Sequence, residues 1–405
     1  MMQLQFAKRM SDIKASEIRE ILKVTEQEDV ISFAGGLPAP ELFPIEEINE
    51  VNHIVHEQAG TKALQYTTTE GYAPLREWIA NRMNSHLGTS FDRDNILITH
   101  GSQQGLDLSG KIFLDEGDIV LCESPTYLAA ISAFRAYGCK FIEISTDNYG
   151  MNMEVLENVL EKTKGIKLIY VIPTFQNPTG KTWSKERRKK LAELSAKYNV
   201  AVIEDNPYGE LRFEGEHLPS VKSFDKSGNI LCTGSFSKIF CPGFRIGWIA
   251  GDKDIIRKYV LVKQGTDLQC NTIAQMVISE YLKRYDINEH IARIVEVYKK
   301  RRNLAIECIE RFFPKNIRFT RPEGGLFTWI ELPEAISART VLDKCLEKRV
   351  AFVPGGSFFP NENRENTFRI NYSNMPEDKI ERGLKIIAEV VKEEMRRSSL
   401  SEFYI

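Results

Sequence analysis

Short apolar runs alternate with helical stretches from about residue 95 onward. The runs are rich in Val, Ile, Leu, Phe and Tyr, which favours strands at this length. Because helical segments separate the runs, they predict a mostly parallel sheet that helices cover on both faces. The predicted strands are NILITH, DIVLCES, CKFIEIS, IKLIYVIP, VAVIEDN, NILCTGS and RIGWIAG.

The N-terminal part of the chain has a different pattern. Residues 12–24 have the apolar periodicity of a helix, carried by Ala15, Ile18, Ile21 and Leu22. Residues 30–44 are rich in Gly and Pro and predict an irregular crossing segment. The stretch EGYAPLREWIANRM then carries a proline that suits a first helical turn. We therefore expect a helix, a crossing segment and a second helix before the sheet begins.

The C-terminal part predicts a second, smaller α+β unit. Residues 275–312 have the pattern of a long helical connection, and residues 313–405 mix short strands with helices. The short strands are IRFTRP, GLFTWIEL, VAFVPGG and TFRINYS. The predicted organisation is an N-terminal arm over 1–45 that packs with the small domain, a large domain over 46–290 and a small C-terminal domain over 291–405.

Composition narrows the class of protein. The chain has 405 residues, of which 42% are hydrophobic and 27% charged, and its net charge is -2, so it has no general attraction for nucleic acid or anionic membranes. It has no apolar run long enough to span a bilayer and no apolar core of a secretory signal. Its 7 cysteines are scattered, which is typical of reduced thiols. Its 6 histidines do not cluster with cysteines or carboxylates along the sequence, so we expect no metal site.

Polar residues follow several predicted strands, at the edge where open α/β sheets bind ligands. A Gly-Ser pair in THGSQQG offers backbone N–H groups and a hydroxyl to a phosphate at a helix start. Asn177 follows the strand KLIYV, and Asp205 and Tyr208 follow VAV. Each feature alone also suits ordinary structure, as a capping serine, a turn asparagine or a hydrogen-bonded acid.

The stretch TGSFSKIFCPGFRIGW is the most informative. It places Ser235, Ser237, Lys238 and Arg245 between two apolar strands. The serines and the arginine suit a phosphate, and a buried lysine beside a cation is a nucleophilic amine at neutral pH. These groups suit a phosphorylated aldehyde that forms a Schiff base with Lys238, and Asp205 would pair with a protonated pyridine nitrogen. A lone lysine is usually a solvated surface residue, but several such segments in succession weaken that interpretation.

With these residues in place, the chain resembles fold type I enzymes that depend on pyridoxal 5′-phosphate, namely the class I and II aminotransferases. GSQQG, SPTY, NPTG, DNPY, SFSK, PGFRIGW and FRINYS stand in the family's order over nearly the whole chain. ASEIREILKVTEQEDVISFAGGLPAPELFP and LQYTTTEGYAPLREW are similar to the 2-aminoadipate, LysN-like and broad-range branch. The resemblance implies an α/β protein of fold type I, with a mostly parallel sheet in the large domain and a smaller α+β domain.

The resemblance also implies how the cofactor is held. Lys238 would form the Schiff base and transfer protons, Asp205 would pair with the ring nitrogen, and Tyr208 and Asn177 would hydrogen-bond the ring's phenolic oxygen. Tyr127 would stack on the ring face. The implied phosphate ligands are Ser102, Gln103, Ser235, Ser237 and Arg245, together with Tyr66 of the neighbouring subunit.

For the substrate, the resemblance implies that Arg369 clamps the α-carboxylate beside Asn177 and that Gly36 lines the pocket. Arg19 would meet the distal carboxylate of 2-aminoadipate or glutamate. Each role has an ordinary alternative: exposed arginines at both positions, half-buried tyrosines at the two tyrosine positions, and a glutamine side chain that faces water. His100 stands where similar enzymes have a small hydroxyl residue, and we interpret it as structural.

The resulting prediction is a homodimeric, cytoplasmic aminotransferase with shared active sites. It would move an amino group between an L-amino acid, such as 2-aminoadipate, glutamate, or an aromatic or branched-chain amino acid, and a 2-oxo acid such as 2-oxoglutarate. One alternative is a lyase or decarboxylase on the same fold. Another is a non-catalytic regulator with an aminotransferase-like domain, although the chain is nearly neutral and the family pattern begins near residue 12. We expect no nucleic-acid or membrane partner.

Overall fold

The structure is a computed structural model that describes residues 4–11, 21, 27, 29–361 and 364–401. The helix expected over 12–24 therefore lies outside the described residues, except for Ile21, which is buried. None of the helices in the described part of the chain combines the length and the apolar character needed to cross a membrane.

Strands and helices alternate along most of the chain. The strands are β1 (Ile31–Ser32), β2 (Ile96–His100), β3 (Ile119–Ser124), β4 (Lys140–Asp147), β5 (Gly150–Met151), β6 (Ile166–Val171), β7 (Ala201–Asp205), β8 (Ile230–Ser235), β9 (Ile246–Ala250), β10 (Arg318–Phe319), β11 (Phe327–Glu331), β12 (Val350–Ala351), β13 (Val353–Pro354) and β14 (Thr367–Asn371). The α-helices are α1 (Ile45–Ala63), α2 (Ala73–Leu87), α3 (Gly101–Phe113), α4 (Leu128–Arg135), α5 (Met153–Lys162), α6 (Lys185–Tyr198), α7 (Lys253–Gln264), α8 (Thr272–Arg284), α9 (Ile287–Phe312), α10 (Ala338–Glu347) and α11 (Glu377–Ser401). Short 3-10 helices lie at Lys8–Ser11, Pro40–Leu42, Arg93–Asn95, Lys222–Phe224, Pro242–Phe244 and Gly355–Phe358.

The large sheet confirms the predicted mostly parallel arrangement. Its strand order is β2-β9-β8-β7-β6-β3-β4-β5, and the neighbours from β8 through to β4 run parallel. Strand β9 runs antiparallel to both of its neighbours. The connection between β8 and β9 covers only residues 236–245, which is too short for the crossover that parallel strands need. The stretch that carries the predicted lysine is therefore a short connection at the strand ends, with a 3-10 helix at Pro242–Phe244.

The central strands are mainly apolar, and both faces of the sheet are covered. Val120 and Ile203 belong to one buried cluster, and their chain neighbours Leu121 and Val202 belong to another. Successive side chains of a strand point to opposite faces, so continuous apolar runs build two cores at once.

The C-terminal part forms the predicted smaller unit around an antiparallel sheet in the order β10-β11-β14-β13, with α9 in contact with α11. Strand β1 pairs in parallel with β12, so the N-terminal segment is attached to this unit. The prediction of one long helical connection over 275–312 is wrong in one respect, since this stretch contains parts of two helices. The first helix ends before α9, where the Asp286 side chain accepts a hydrogen bond from the Asn288 N–H and caps the new helix. The exact domain boundaries remain a prediction.

Candidate active site

Four predicted site residues lie at the carboxyl ends of adjacent parallel strands. Tyr127 follows β3, Asn177 follows β6, Asp205 ends β7 and Lys238 follows β8. These strands are consecutive neighbours in the sheet, so their ends bring the side chains to one edge. The structure thus assembles a polar site at the place where open α/β sheets bind ligands.

Asp205 is a buried carboxylate with hydroxyl partners. It is 1% exposed, its Oδ1 accepts a hydrogen bond from the Thr233 hydroxyl at 2.5 Å, and its Oδ2 accepts one from the Tyr170 hydroxyl at 2.7 Å. Burial raises the pKa of Asp205, and the two hydrogen bonds oppose that rise only in part. Among the residues that the structure describes, no Lys, Arg or His forms an ion pair with Asp205. The site therefore suits a ligand that brings a protonated nitrogen.

Lys238 presents an amine of lowered basicity. Its Nζ donates a hydrogen bond to the Gly36 carbonyl oxygen at 2.6 Å. Burial lowers the pKa of Lys238 to about 8, and the positive charges of Arg369 and Arg245 contribute to the same direction. A much larger fraction of this amine is neutral near pH 7 to 8 than for an ordinary lysine, so it is a better nucleophile and base.

Arg369 is buried at 2% exposure, so the ordinary interpretation as an exposed strand arginine is wrong. One terminal nitrogen donates to the Asn177 side-chain oxygen at 2.8 Å and the other to the Ala34 carbonyl at 2.6 Å. The guanidinium lies 4.1 Å from the centre of the Phe327 ring, and its Nε has no hydrogen-bond partner. Burial lowers the pKa of Arg369 to about 10. A buried cation of this kind suits a carboxylate ligand.

Two tyrosines line the same site. The Asn177 side-chain amide donates to the Tyr208 hydroxyl at 3.4 Å, and Tyr208 is 5% exposed. Tyr127 precedes α4, and burial raises its pKa to about 12, with the Asp205 charge adding to the effect. The two tyrosines therefore lie close enough to Asp205 for its charge to affect both hydroxyl groups.

A cradle for an anion lies at the N-terminus of α3. Arg245 has a left-handed backbone, with φ of 56°, and its guanidinium packs so closely on Gly101 that a Cβ there would lie 2.5 Å from the terminal nitrogen. The Ser235 hydroxyl donates to the Ser237 hydroxyl at 2.8 Å and accepts the Ser237 N–H at 3.0 Å. Ser102 stands in the first turn of α3. A guanidinium, hydroxyl groups and helix N–H groups are the donors that a phosphate requires.

Three predicted residues stand apart from this group. Gln103 is exposed, and its amide donates to the Ala129 carbonyl at 3.2 Å. Tyr66 is 77% exposed. Arg19 lies outside the described residues. Roles for these residues remain predictions, and the Tyr66 role needs a second subunit.

Sequence reasoning missed the residues that support the site. Thr233 pairs directly with Asp205 in the β7–β8 register, and Tyr170 lies on the next strand. Hydroxyl groups inside otherwise apolar strands were the available signal, because a buried hydroxyl needs a partner. Phe327, which packs under Arg369, carried no such signal.

Comparisons with known proteins agree with this geometry. Residues 28–387 match the model of the aminotransferase class I and II family. The chain is 46% identical to aromatic-amino-acid aminotransferase 1 of Thermococcus litoralis, over 97% of this chain and 95% of that protein.

Two solved structures are also similar. One is kynurenine aminotransferase from Pyrococcus horikoshii in complex with PMP and kynurenine, with a TM-score of 0.92, 45% identity, and coverage of 96% of this chain and 97% of that one. The other is LysN, an alpha-aminoadipate aminotransferase from Thermus thermophilus, complexed with N-(5′-phosphopyridoxyl)-L-leucine. It has a TM-score of 0.89 and 40% identity, with coverage of 96% of this chain and 97% of that one. The chain belongs to the class I and II aminotransferase family.

Proposed function

We propose that this aminotransferase uses pyridoxal 5′-phosphate to move the amino group of a broad range of L-amino acids to a 2-oxo acid such as 2-oxoglutarate. The observation that carries the proposal is the arrangement of charged groups in one site. The Lys238 amine of lowered pKa lies near Arg369 and Arg245, and the buried Asp205 carboxylate has only hydroxyl partners. An aldehyde, a carboxylate, a phosphate and a protonated ring nitrogen would each find a complementary group there.

The donor set fits the cofactor from end to end. Ser102, Ser235, Ser237 and Arg245 would hold the phosphate beside the first turn of α3. Asp205 would hold the pyridine nitrogen in its protonated form, a role for which a buried carboxylate without a cationic partner is suited. When bound, the cofactor supplies an aldehyde for amines and a ring that withdraws electrons from the substrate.

The remaining residues would orient the ring and the substrate. Asn177 and Tyr208, already hydrogen-bonded to each other, would meet the ring's phenolic oxygen, and Tyr127 would cover the ring face. Arg369 would bind the substrate α-carboxylate with its two terminal nitrogens, one of which already donates to Asn177. The substrate carboxylate would thus lie close to Asn177, which would also contact the ring's phenolic oxygen.

Lys238 would carry the proton. Its Nζ, held by the Gly36 carbonyl, would take the substrate Cα proton when neutral and would deliver a proton to the carbon that was the cofactor's aldehyde. The lowered pKa matches this role, because an amine that titrates near neutral pH both accepts and releases a proton readily. Glycine suits position 36 because a Cβ there would lie only 3.0 Å from the Phe327 ring.

A broad donor range is supported by the relatives compared above, which are described as acting on aromatic amino acids, kynurenine and aminoadipate. Arg19 would pair with the distal carboxylate of 2-aminoadipate or glutamate and turn away for leucine or aromatic donors. We further propose a cytoplasmic homodimer, with Tyr66 reaching the phosphate of the neighbouring subunit. The exposure of Tyr66, Leu64 and Leu268, at 77%, 71% and 46%, supports a subunit contact here.

A panel of amino donors against 2-oxoglutarate, followed by the absorbance of the bound cofactor, tests the proposal. We expect several aromatic and dicarboxylic donors to convert the cofactor to its amino form and 2-oxoglutarate to convert it back. Release of carbon dioxide or of a side-chain fragment, without return by 2-oxoglutarate, would favour the decarboxylase or lyase alternative.

A further inference from the structure

A second polar cluster lies beside the phosphate cradle and was not expected from the sequence. Lys263, near the end of α7, is 0% exposed. Its ammonium lies 2.7 and 2.8 Å from the two carboxylate oxygens of Asp267 and 3.0 Å from the side-chain oxygen of Gln104. The hydrogen bonds from Lys263, Gln104 and His100 outweigh the burial of Asp267 and lower its pKa, so the Asp267 carboxyl is ionised at neutral pH.

This cluster holds the start of α3. The His100 backbone N–H donates to the Gln104 side-chain oxygen at 2.9 Å, and the Gln104 amide donates to Asp267 at 2.6 Å. The His100 ring nitrogen lies 2.8 Å from the same Asp267 oxygen. His100 immediately precedes Gly101, the first residue of α3. The cluster therefore fixes the turn whose N–H groups face the proposed phosphate position.

The same region contains a possible set of metal donors, but its geometry argues against a metal ion. Ligand atoms of His100, Asp267 and Cys270 lie within 4.8 Å of one another. The Asp267 carboxylate already accepts hydrogen bonds from three side chains, and the Lys263 ammonium holds the position beside it that a cation would need. Lys263 supplies the positive charge that a metal would otherwise bring.

We propose that Asp267, through Lys263 and Gln104, is a positioning residue for the cofactor phosphate; this proposal rests on the proposed function above. None of these three side chains needs to touch the phosphate. Together they hold the His100–Gly101–Ser102 turn so that its N–H groups and hydroxyl point to one anion site. Loss of the Asp267 charge frees the Gln104 and His100 groups and leaves Lys263 buried without a counter-ion.

The test compares cofactor affinity in Asp267→Asn and in the unmodified protein, with pyridoxal 5′-phosphate and with pyridoxal, which lacks the phosphate. Because charge-assisted hydrogen bonds are lost, we expect the dissociation constant for pyridoxal 5′-phosphate to rise roughly tenfold or more. The dissociation constant for pyridoxal should stay unchanged, and the ³¹P resonance of the bound phosphate should shift. The matched control is Asp254→Asn, which breaks the exposed Asp254–Arg257 pair on α7, the helix that carries Lys263. It should change neither the dissociation constant for pyridoxal 5′-phosphate nor that for pyridoxal.

Gln104→Met provides a second variant if Asp267→Asn does not fold. It keeps the Lys263–Asp267 pair and removes the Gln104 hydrogen bonds to the His100 N–H, to Lys263 and to Asp267. The same selective loss for the phosphorylated ligand is expected. Equal loss for both ligands, unchanged affinity, or tighter binding of pyridoxal 5′-phosphate would overturn the positioning role. If the unmodified protein bound Zn²⁺ and Asp267→Asn did not, the cluster would be a metal site and the positioning role would be overturned. If the unmodified protein bound no pyridoxal 5′-phosphate, the proposed function itself would fail.

Discussion

Buried charged side chains have different partners in the two polar regions beside the N-terminus of α3. In the candidate active site, Asp205 and Lys238 have only neutral hydrogen-bond partners within the described residues. In the neighbouring cluster, Lys263 and Asp267 form a complete ion pair, at 2.7 and 2.8 Å. The first region lacks counter-charges that a ligand can supply, whereas the second supplies its own.

The difference indicates which side chains bind the ligand and which stabilise the fold. A buried charge without a counter-ion costs free energy, so a protein that keeps several of them in one pocket gives up stability there. A buried ion pair with all hydrogen bonds satisfied carries no such local deficit. Substitutions in the active site should therefore change chemistry or binding more than stability, and substitutions in the cluster should also lower stability. The predictions below test this contrast.

Asp205→Asn should have the largest effect on rate. An amide cannot stabilise a protonated ring nitrogen, and loss of a preorganised electrostatic partner costs about 2.7–4 kcal/mol, or roughly 10²–10³ in kcat. The melting temperature of the cofactor-free protein should not fall, because burial already raises the pKa of Asp205. Steady-state kinetics and thermal unfolding measure both quantities. Near-normal turnover would show that another acid has this role.

Arg369→Lys should weaken the binding of every amino donor by a similar factor. The lysine keeps the positive charge but loses the paired terminal nitrogens that contact Asn177 and Ala34. Loss of a charge-assisted hydrogen bond costs about 1.5–3 kcal/mol, which is roughly tenfold to a hundredfold in kcat/KM. The measurement is kcat/KM for glutamate, leucine and an aromatic donor. A drop confined to one donor class would place Arg369 at the side-chain end of the substrate.

Arg19→Ala should affect only part of the substrate range. Dicarboxylic donors would lose a charge-assisted pair, so their kcat/KM should fall by one or two orders of magnitude, on the basis of about 1.5–3 kcal/mol. Leucine makes no such pair and should react as before, which provides the internal control. An equal drop in kcat/KM for both donor classes, or no drop for either, would show that Arg19 does not bind the distal carboxylate.

The smallest expected effect is a pH shift. The lowered pKa of Lys238 means that the neutral amine, and with it the rate of cofactor capture by the cofactor-free protein, should increase with pH and level off above about 8. Arg369→Gln removes one of the cations that lower this pKa, so its profile should move to higher pH. Stopped-flow absorbance across pH 6–10 records both profiles. A shift to lower pH in Arg369→Gln would contradict the assigned cause.

The sequence predicted the large sheet well because its central strands are mainly apolar runs that contribute to the cores on both faces. It also predicted which strand ends carry chemistry, since polar groups such as Asp205 and Lys238 interrupt those runs. The antiparallel direction of β9 was not predicted, although the connection over 236–245 is too short for a parallel crossover. The break before α9 was missed because its signal was the single capping residue Asp286.

The Lys263–Asp267 cluster shows a further limit. Along the sequence, no histidine clusters with cysteines or carboxylates, and His100 was interpreted as structural. In the fold, Asp267 and Cys270 both contact His100. The partners are separated by 167 residues for His100 and Asp267, and no periodic pattern links them. Contacts of this kind arise from the tertiary fold, so a local reading of the sequence cannot reveal them.

Reductive trapping tests the central claim most directly. The protein is loaded with pyridoxal 5′-phosphate, reduced with borohydride, digested and mapped by mass spectrometry. We predict one stable phosphopyridoxyl adduct, on Lys238, and none in Lys238→Ala, whose circular dichroism should match that of the unmodified protein. An adduct on another lysine, or an equal yield in Lys238→Ala, would contradict the account.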